Sequence, residues 1–436
     1  MRRRTLLTAA PLAAAGVTGL AACGGGSGSG GSNESPDSLT YWASNQGTSL
    51  EHDKEVLTPV LERFEEETGI SVSLEVIGWN DLQTRIQTAI TSGQGPDVVN
   101  IGNTWGVSLQ STGGLLDLGD EEFEALGGRD KYVEAALATG GAPDTDPTSV
   151  PLYGLAYGMF YNVRMFEEAG LEPPTTWEEM VEAAKELTDP DNGVYGMSLA
   201  AGSYTENNHF AFINAVQNGA ALNTPDGEPS FTEDGVVDGI LRYLDLMQKH
   251  KVVNPSNAQF DNGTMSVTSF ANEESALIIN QNNAHSTIES NGMTPDQFAA
   301  VPFPAPEGAA SDCASHLAGI NLAIMKDTQN RDGALEFMKF MTSPETQKEL
   351  GKPFAALPVL KDGEPTFTED TEQAELFMEI YAERAEPLPL VPWEDQFETS
   401  VGQAMNDMFA TIATGGTVTR DDVMTAMQTA QDSIRA

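Results

Sequence analysis

Three short stretches of this chain carry side chains suited to chemistry with a small polar solute. They are Ser44-Asn45-Gln46-Gly47, Gly78-Trp79-Asn80-Asp81 and Gly102-Asn103-Thr104-Trp105. Amides and hydroxyls donate and accept hydrogen bonds, and an indole offers a flat apolar face. Asn45, Gln46, Asn103 and Thr104 are therefore candidate partners for ligand hydroxyls; the same residue types also serve plain turn chemistry. None of the three stretches contains Lys or Arg, and no Gly-x-Gly-x-x-Gly or Walker A pattern occurs, so a phosphate or dinucleotide ligand is disfavoured. The five histidines, at 52, 209, 250, 285 and 316, show no metal-ligand spacing. No metal and no cofactor are expected. The folded body has no Gly-x-Ser-x-Gly nucleophile motif.

Apolar periodicity supplies the elements that position these stretches. Leu39 and Tyr41 share one face of a strand over 38–43. Leu57, Val60, Leu61 and Phe64 fall at helical spacing over 55–68, and Gly69 suits the end of that helix. Val72, Leu74 and Val76 alternate along a second strand; Leu82, Ile86, Ala89 and Ile90 mark a second helix; residues 97–101 make a third strand. A β-α-β-α-β order implies a parallel sheet with helices on its faces, and such sheets bind ligands at the carboxyl ends of their strands. All three polar stretches sit there. Farther on, Thr176 and Glu179 form a capping box, and helices are expected over 235–249, 331–341 and 344–350. Phe397, Val401, Ala404, Met405 and Met408 form one helical stripe. Gly415-Gly416 breaks it, and a last helix follows through 430.

The chain has 436 residues, enough for about two to three folding units. Its 65 acidic and 22 basic residues give a formal charge of −43, which argues against nucleic-acid binding and against attraction to anionic lipid. The acid excess suits solubility in a saline medium, or alternatively a cleft for a cationic solute such as a polyamine. The acids are spread along the chain, which favours the first. Two cysteines exclude a disulfide scaffold and a cysteine zinc site. Cys313 reads as a small, partly buried residue.

The N-terminus reads as an address. Met1-Arg2-Arg3-Arg4 precedes an apolar run from Thr5 to Leu20, a signal-peptide pattern. The Arg pair matches a twin-arginine signal in part, so Tat and Sec export both stay open. Leu20-Ala21-Ala22-Cys23 resembles a bacterial lipobox, which implies that Cys23 is lipidated and becomes the first mature residue. An ordinary Ala-x-Ala cleavage is the alternative. Residues 24–37, GGGSGSGGSNESPD, make a flexible tether. No other apolar stretch approaches the ~18 residues of a membrane span.

Four stretches together resemble the extracellular solute-binding proteins of bacterial ABC importers, in the carbohydrate-binding cluster that includes maltose-binding protein. They are Trp79 through Ser92-Gly93-Gln94-Gly95-Pro96-Asp97 to Gly113-Gly114-Leu115-Leu116; Met159-Phe160-Tyr161-Asn162 through Gly170-Leu171 and Pro173-Pro174-Thr175-Thr176-Trp177; Val301-Pro302-Phe303-Pro304 through Gly319 to Ser343-Pro344-Glu345; and Pro392-Trp393 with the helices after it. The resemblance implies an α/β, two-lobe periplasmic-binding-protein-like (Venus flytrap) fold with its ligand in the cleft between lobes. The implied domains are a signal peptide at 1–22, a lipidated Cys and tether at 23–37, lobe 1 at 38–147 plus 313–355, and lobe 2 at 148–312 plus 356–436. The implied crossings lie near 148, 312 and 356.

The same resemblance implies a binding lipoprotein, not an enzyme. It would capture a sugar or oligosaccharide outside the cell and deliver it to membrane permease subunits, as a monomer held by its lipid on the outer face of the cytoplasmic membrane. The implied cleft residues add Trp105, Tyr157, Asn283, His285 and Gly319 to the polar candidates, with Trp393 as the stacking platform. Trp79 is read as an anchor for its helix. Asn283 and His285 stand in a loop where relatives often carry a tryptophan, which suggests a smaller or more polar ligand than a maltodextrin. A polyamine or other non-sugar solute on the same scaffold is the alternative, and a secreted glycosidase a more distant one.

Overall fold

The structure is a computed structural model, and it describes residues 37–435. Cys23, the signal peptide and most of the tether lie outside the described residues. Among the described residues, nine of eleven strands form two main sheets. The first has five: β1 (Ser38–Ser44), β2 (Ser71–Ile77), β3 (Val98–Gly102), β4 (Ser149–Leu155) and β10 (Ala318–Ile324), in the order β2-β1-β3-β10-β4. Strands β2, β1 and β3 run parallel, and β10 is antiparallel to both its neighbours. The second sheet has four: β5 (Tyr157–Asn162), β6 (Tyr195–Ser198), β7 (Ser275–Gln281) and β8 (Phe298–Val301), in the order β6-β7-β5-β8. A two-residue strand β9 (Ser315–His316) pairs with β11 (Ala385–Glu386).

The first lobe follows the expected pattern. Leu39, Tyr41 and Ala43 point inward from β1, and the opposite face carries Trp42 under the Arg85 guanidinium, 4.4 Å from its ring. The helix Leu50–Thr68 starts earlier than its apolar spacing suggested. Ser49 caps it by accepting from the His52 N–H, and Gly69 ends it at φ 76°. Phe64 and Tyr41 pack edge-on against Phe337 in the core beneath the sheet. Central strand β3 is buried along its whole length, so its Asn100 must be satisfied internally. It accepts from the Tyr41 hydroxyl at 2.7 Å and donates to Ser44 Oγ at 3.2 Å.

The chain changes sheet at three places. The family resemblance implied crossings near 148, 312 and 356; strand pairing puts the sheet changes slightly later. Residues 149–155 belong to β4 in the first sheet, so the first crossing is at Ala156. β9 lies against β11, which follows a helix packed on β5 and β8, so the second crossing is at Leu317. Leu357 and Leu360 still bridge to Gly154 and Tyr132 of the first lobe, so the third lies between Leu360 and the helix Thr371–Glu383. The C-terminal helices Glu394–Ala413 and Arg420–Arg435 complete the second lobe against the helices Tyr204–Gln217 and Asp234–Gln248.

Candidate functional site

A cleft of about 840 Å³ opens between the lobes. From the first lobe it is lined by the loops after β1, β2 and β3. From the second come the start of β5, the first turns of the helices Tyr204–Gln217 and Gly263–Ala271, the end of β7, and Glu398. Eight of the ten expected ligand residues line it: Asn45, Gln46, Asn103, Thr104, Trp105, Tyr157, Asn283 and Gly319. The residues lining it include no Lys and no Arg.

The loop after β1 is held by a residue the sequence did not single out. Asp53, fully buried on the first helix, accepts from the Gln46 N–H (2.5 Å), the Gly47 N–H (2.7 Å) and the Asn45 amide (3.0 Å). Burial raises its pKa, and those hydrogen bonds offset part of the rise. Gly47 is required here, because a Cβ would lie 2.4 Å from the His52 ring. Asp53→Ala leaves three donors short of an acceptor. It is expected to cost roughly 2–4 kcal/mol, read as a lower urea midpoint at unchanged slope.

Trp79 does more than anchor its helix. Its indole donates to the Asn45 carbonyl at 2.7 Å, and its half-buried ring stands at the cleft, edge-on to Trp105 with centroids 5.6 Å apart. Trp105 is buried, and its Nε1 donates at 2.8 Å to Glu398 of the second lobe. Asn103 donates to the Leu317 carbonyl at the second crossing, so part of its hydrogen-bonding capacity braces the hinge. Asn283 donates across the cleft to the Gln46 carbonyl at 3.4 Å. Gly319 is explained by its own sheet, since a Cβ there would meet the Tyr153 carbonyl at 2.6 Å.

Two expected residues stand elsewhere. Trp393 lies outside the cleft, packs edge-on to Phe231 and donates to the Gly227 carbonyl at 2.9 Å. The helix it precedes turns that ring into the second lobe, so it supplies no stacking face. His285 is buried between Phe298 and Phe367, with Glu289 3.5 Å from Nδ1. Burial lowers its pKa.

The cleft floor contains groups the sequence reading passed over. His209 and His316 stack at 3.9 Å, and the Tyr157 hydroxyl bonds His209 Nδ1 at 3.0 Å. Burial pushes His209 down to about 3 and His316 well below the ordinary histidine range, so both are neutral at physiological pH. Glu206 lines the cleft with no hydrogen bond or ion pair to its carboxyl among the described residues, and burial raises its pKa to about 8. Glu398 is raised too, by burial first. Spacing alone offered no signal for these four, because residues far apart in the chain bring them together. Among the described residues no group of three His, Cys, Asp or Glu is placed to hold a metal, and no helix is long and apolar enough to cross a membrane. Cys313 is buried, and burial raises its thiol to about 12.

The arrangement can exchange hydrogen bonds with a polar solute and stack one apolar face of it. Residues 48–348 match the family model described as bacterial extracellular solute-binding protein. The diacetylchitobiose binding protein of Streptomyces coelicolor is 25% identical over 359 residues, covering 80% of this chain and 81% of that protein. For a binding protein of Brucella abortus, also 25% identical, the match spans 190 residues: 43% of this chain and 45% of that protein's length. A solute-binding protein from Thermotoga lettingae, solved with alpha-D-tagatose, superposes with TM-score 0.78 at 23% identity, covering 91% of this chain and 99% of that one. The maltose/maltodextrin-binding domain from Bdellovibrio bacteriovorus, bound to maltotriose, gives 0.73 at 18% identity, with 92% and 100% covered. The fold is therefore the two-lobe α/β fold of periplasmic binding proteins.

Proposed function

Since the chain belongs to the bacterial extracellular solute-binding protein family, we propose that it is the binding component of an ABC importer and captures a sugar or oligosaccharide. One observation carries the reading. The interlobe cleft sets Asn45, Gln46, Asn103 and Thr104 around a half-buried Trp79 without a basic side chain. Such a surface matches hydroxyls in fixed directions beside a C–H patch, and it disfavours phosphorylated or acidic sugars. The diacetylchitobiose relative, and the neighbours solved with tagatose and maltotriose, support a carbohydrate. Ligand would bridge both lobes, stabilise their closed arrangement and present it to the permease. No covalent step is part of this reading. Lipidation at Cys23 would tether the body to the outer face of the membrane.

The test is a thermal-unfolding screen of residues 38–436 against mono- and oligosaccharides, polyols and polyamines. A ligand at about 100 times its Kd adds roughly 2.7 kcal/mol, a shift of a few degrees. A shift with one sugar class and none with polyamines is the expected result. Glu206, a carboxyl facing the cleft without a cation, keeps a cationic solute as the second reading. A salt-sensitive shift with polyamines alone would establish that reading in place of the first.

A further inference from the structure

The bond between Trp105 and Glu398 joins residues 293 apart in sequence and from different lobes. Glu398 sits on the helix Glu394–Ala413, held rigidly in the second lobe. At Gly402 that helix approaches the Tyr204 backbone so closely that a Cβ would lie 2.1 Å from the Tyr204 carbonyl. Trp105 sits in the turn after β3 of the first lobe, its ring packed on Gly102. Both side chains are almost wholly buried, at 1% and 2% exposure. Away from the hinge, two further side-chain hydrogen bonds join the lobes, Asn283 to Gln46 and Gln87 to Asp395, each 3.4 Å. The floor bond, at 2.8 Å, is shorter than either.

Its effect reaches the cleft surface. Trp105 backs Trp79 edge-on, and Trp79 is tied to the Asn45 carbonyl, on the loop that Asp53 braces. We infer that Glu398 is a positioning residue of the cleft: from the second lobe it seats the Trp105 ring of the first, and so fixes the Trp79 face, only while the lobes are together. Separation breaks the bond and returns the carboxyl to water. Closure then gains a buried hydrogen bond, and a broken one inside a closed cleft would leave a buried acceptor short of a donor. Thr104 and Glu394 also interact with the Glu398 carboxyl, and His209 Nε2 stands 4.0 Å from its Oε1. The inference rests on the cleft reading above for its meaning, but its test needs no solute.

The experiment compares ligand-free parent protein with Trp105→Phe, Glu398→Leu, the double variant and Glu398→Gln. Small-angle scattering reads lobe separation, and acrylamide quenching of indole emission reads access to the cleft. Trp105→Phe keeps an aromatic, though smaller, ring and loses the N–H; Glu398→Gln keeps an acceptor. The expected result is a more extended profile in both Trp105→Phe and Glu398→Leu, no further change in the double variant, stronger quenching in Glu398→Leu, and a parent-like Glu398→Gln. For a carbohydrate found by the thermal screen, Kd should rise about tenfold in the two open variants. Parent-like scattering of Trp105→Phe, or effects that add in the double variant, would overturn the inference. So would a fall in melting temperature without a change of profile, which marks a purely structural carboxyl. If Glu398→Leu fails to fold, Trp105→Phe alone decides. A screen without any carbohydrate hit sinks the sugar reading and leaves the scattering result to judge this one.

Discussion

Trp79→Ala is expected to weaken carbohydrate binding by roughly 30- to 150-fold, and Trp393→Ala is expected to leave it unchanged. The first figure is about 2–3 kcal/mol, the scale of losing one aromatic face from a sugar's apolar patch. The two tryptophans differ in what surrounds them. Trp79 lines the cleft with its ring half-buried, and its own N–H is already used on Asn45, so the ring face is what it offers a solute. Trp393 spends its ring on Phe231 and its N–H on Gly227, both in the second lobe. Removing it should lower the melting temperature through lost packing, with Kd intact. Calorimetric titration of both variants with the sugar from the thermal screen checks the contrast. Equal affinity losses in both, or a loss confined to Trp393→Ala, would reject the platform assigned to Trp79.

How far such assignments were legible in sequence depends on the range of the interactions that settle them. β1 and β2 alternate, and the helices after them carry clear apolar stripes, so the first lobe's order could be written from local pattern. The three polar loops then had to meet at one end of the sheet, and they do. β5 and β7 are buried almost throughout and show no alternation, so periodicity could not draw the second lobe. Trp393 was placed by family likeness, yet its position is decided by a carbonyl 166 residues earlier. Glu398 sits beside the apolar stripe of Phe397 and Val401, and nothing in that stripe singles it out. Its partner is 293 residues away. Asp53 fell before the helix that apolar spacing marks over 55–68, and nothing local shows that it braces the loop ahead of it. The helix also began earlier than its apolar spacing implied, because the cap at Ser49 lies within polar sequence.

The buried titratable groups at the cleft floor should give the chain opposing pH dependences that two variants can separate. His209 has its pKa lowered to about 3 by burial, against about 6.5 in an unfolded chain. The unfolded state therefore binds the extra proton first. The stability from keeping His209 neutral is complete above about pH 6.5 and is lost as pH falls toward 3, at about 1.4 kcal/mol per unit. Between pH 6.5 and 5 the parent should lose about 2 kcal/mol relative to His209→Asn, and His316, stacked on it and shifted the same way, steepens the loss. Glu206 runs in the opposite sense. Burial raises it to about 8, so the folded carboxyl holds its proton where the unfolded one has released it. Stability is full below about pH 4.5 and falls as pH rises to 8. The carboxyl opens on the cleft and shares solvent, so about 2 kcal/mol over that window is the expected gain of Glu206→Gln over the parent. A solute hydroxyl that donates to Glu206 favours its ionised form, so affinity should rise with pH toward 8 in the parent and stay level in Glu206→Gln. Urea midpoints from pH 4.5 to 8 for the parent and both variants, with one titration series across the same range, read both effects. Parallel stability curves for all three proteins would show that neither group carries the shift its burial implies.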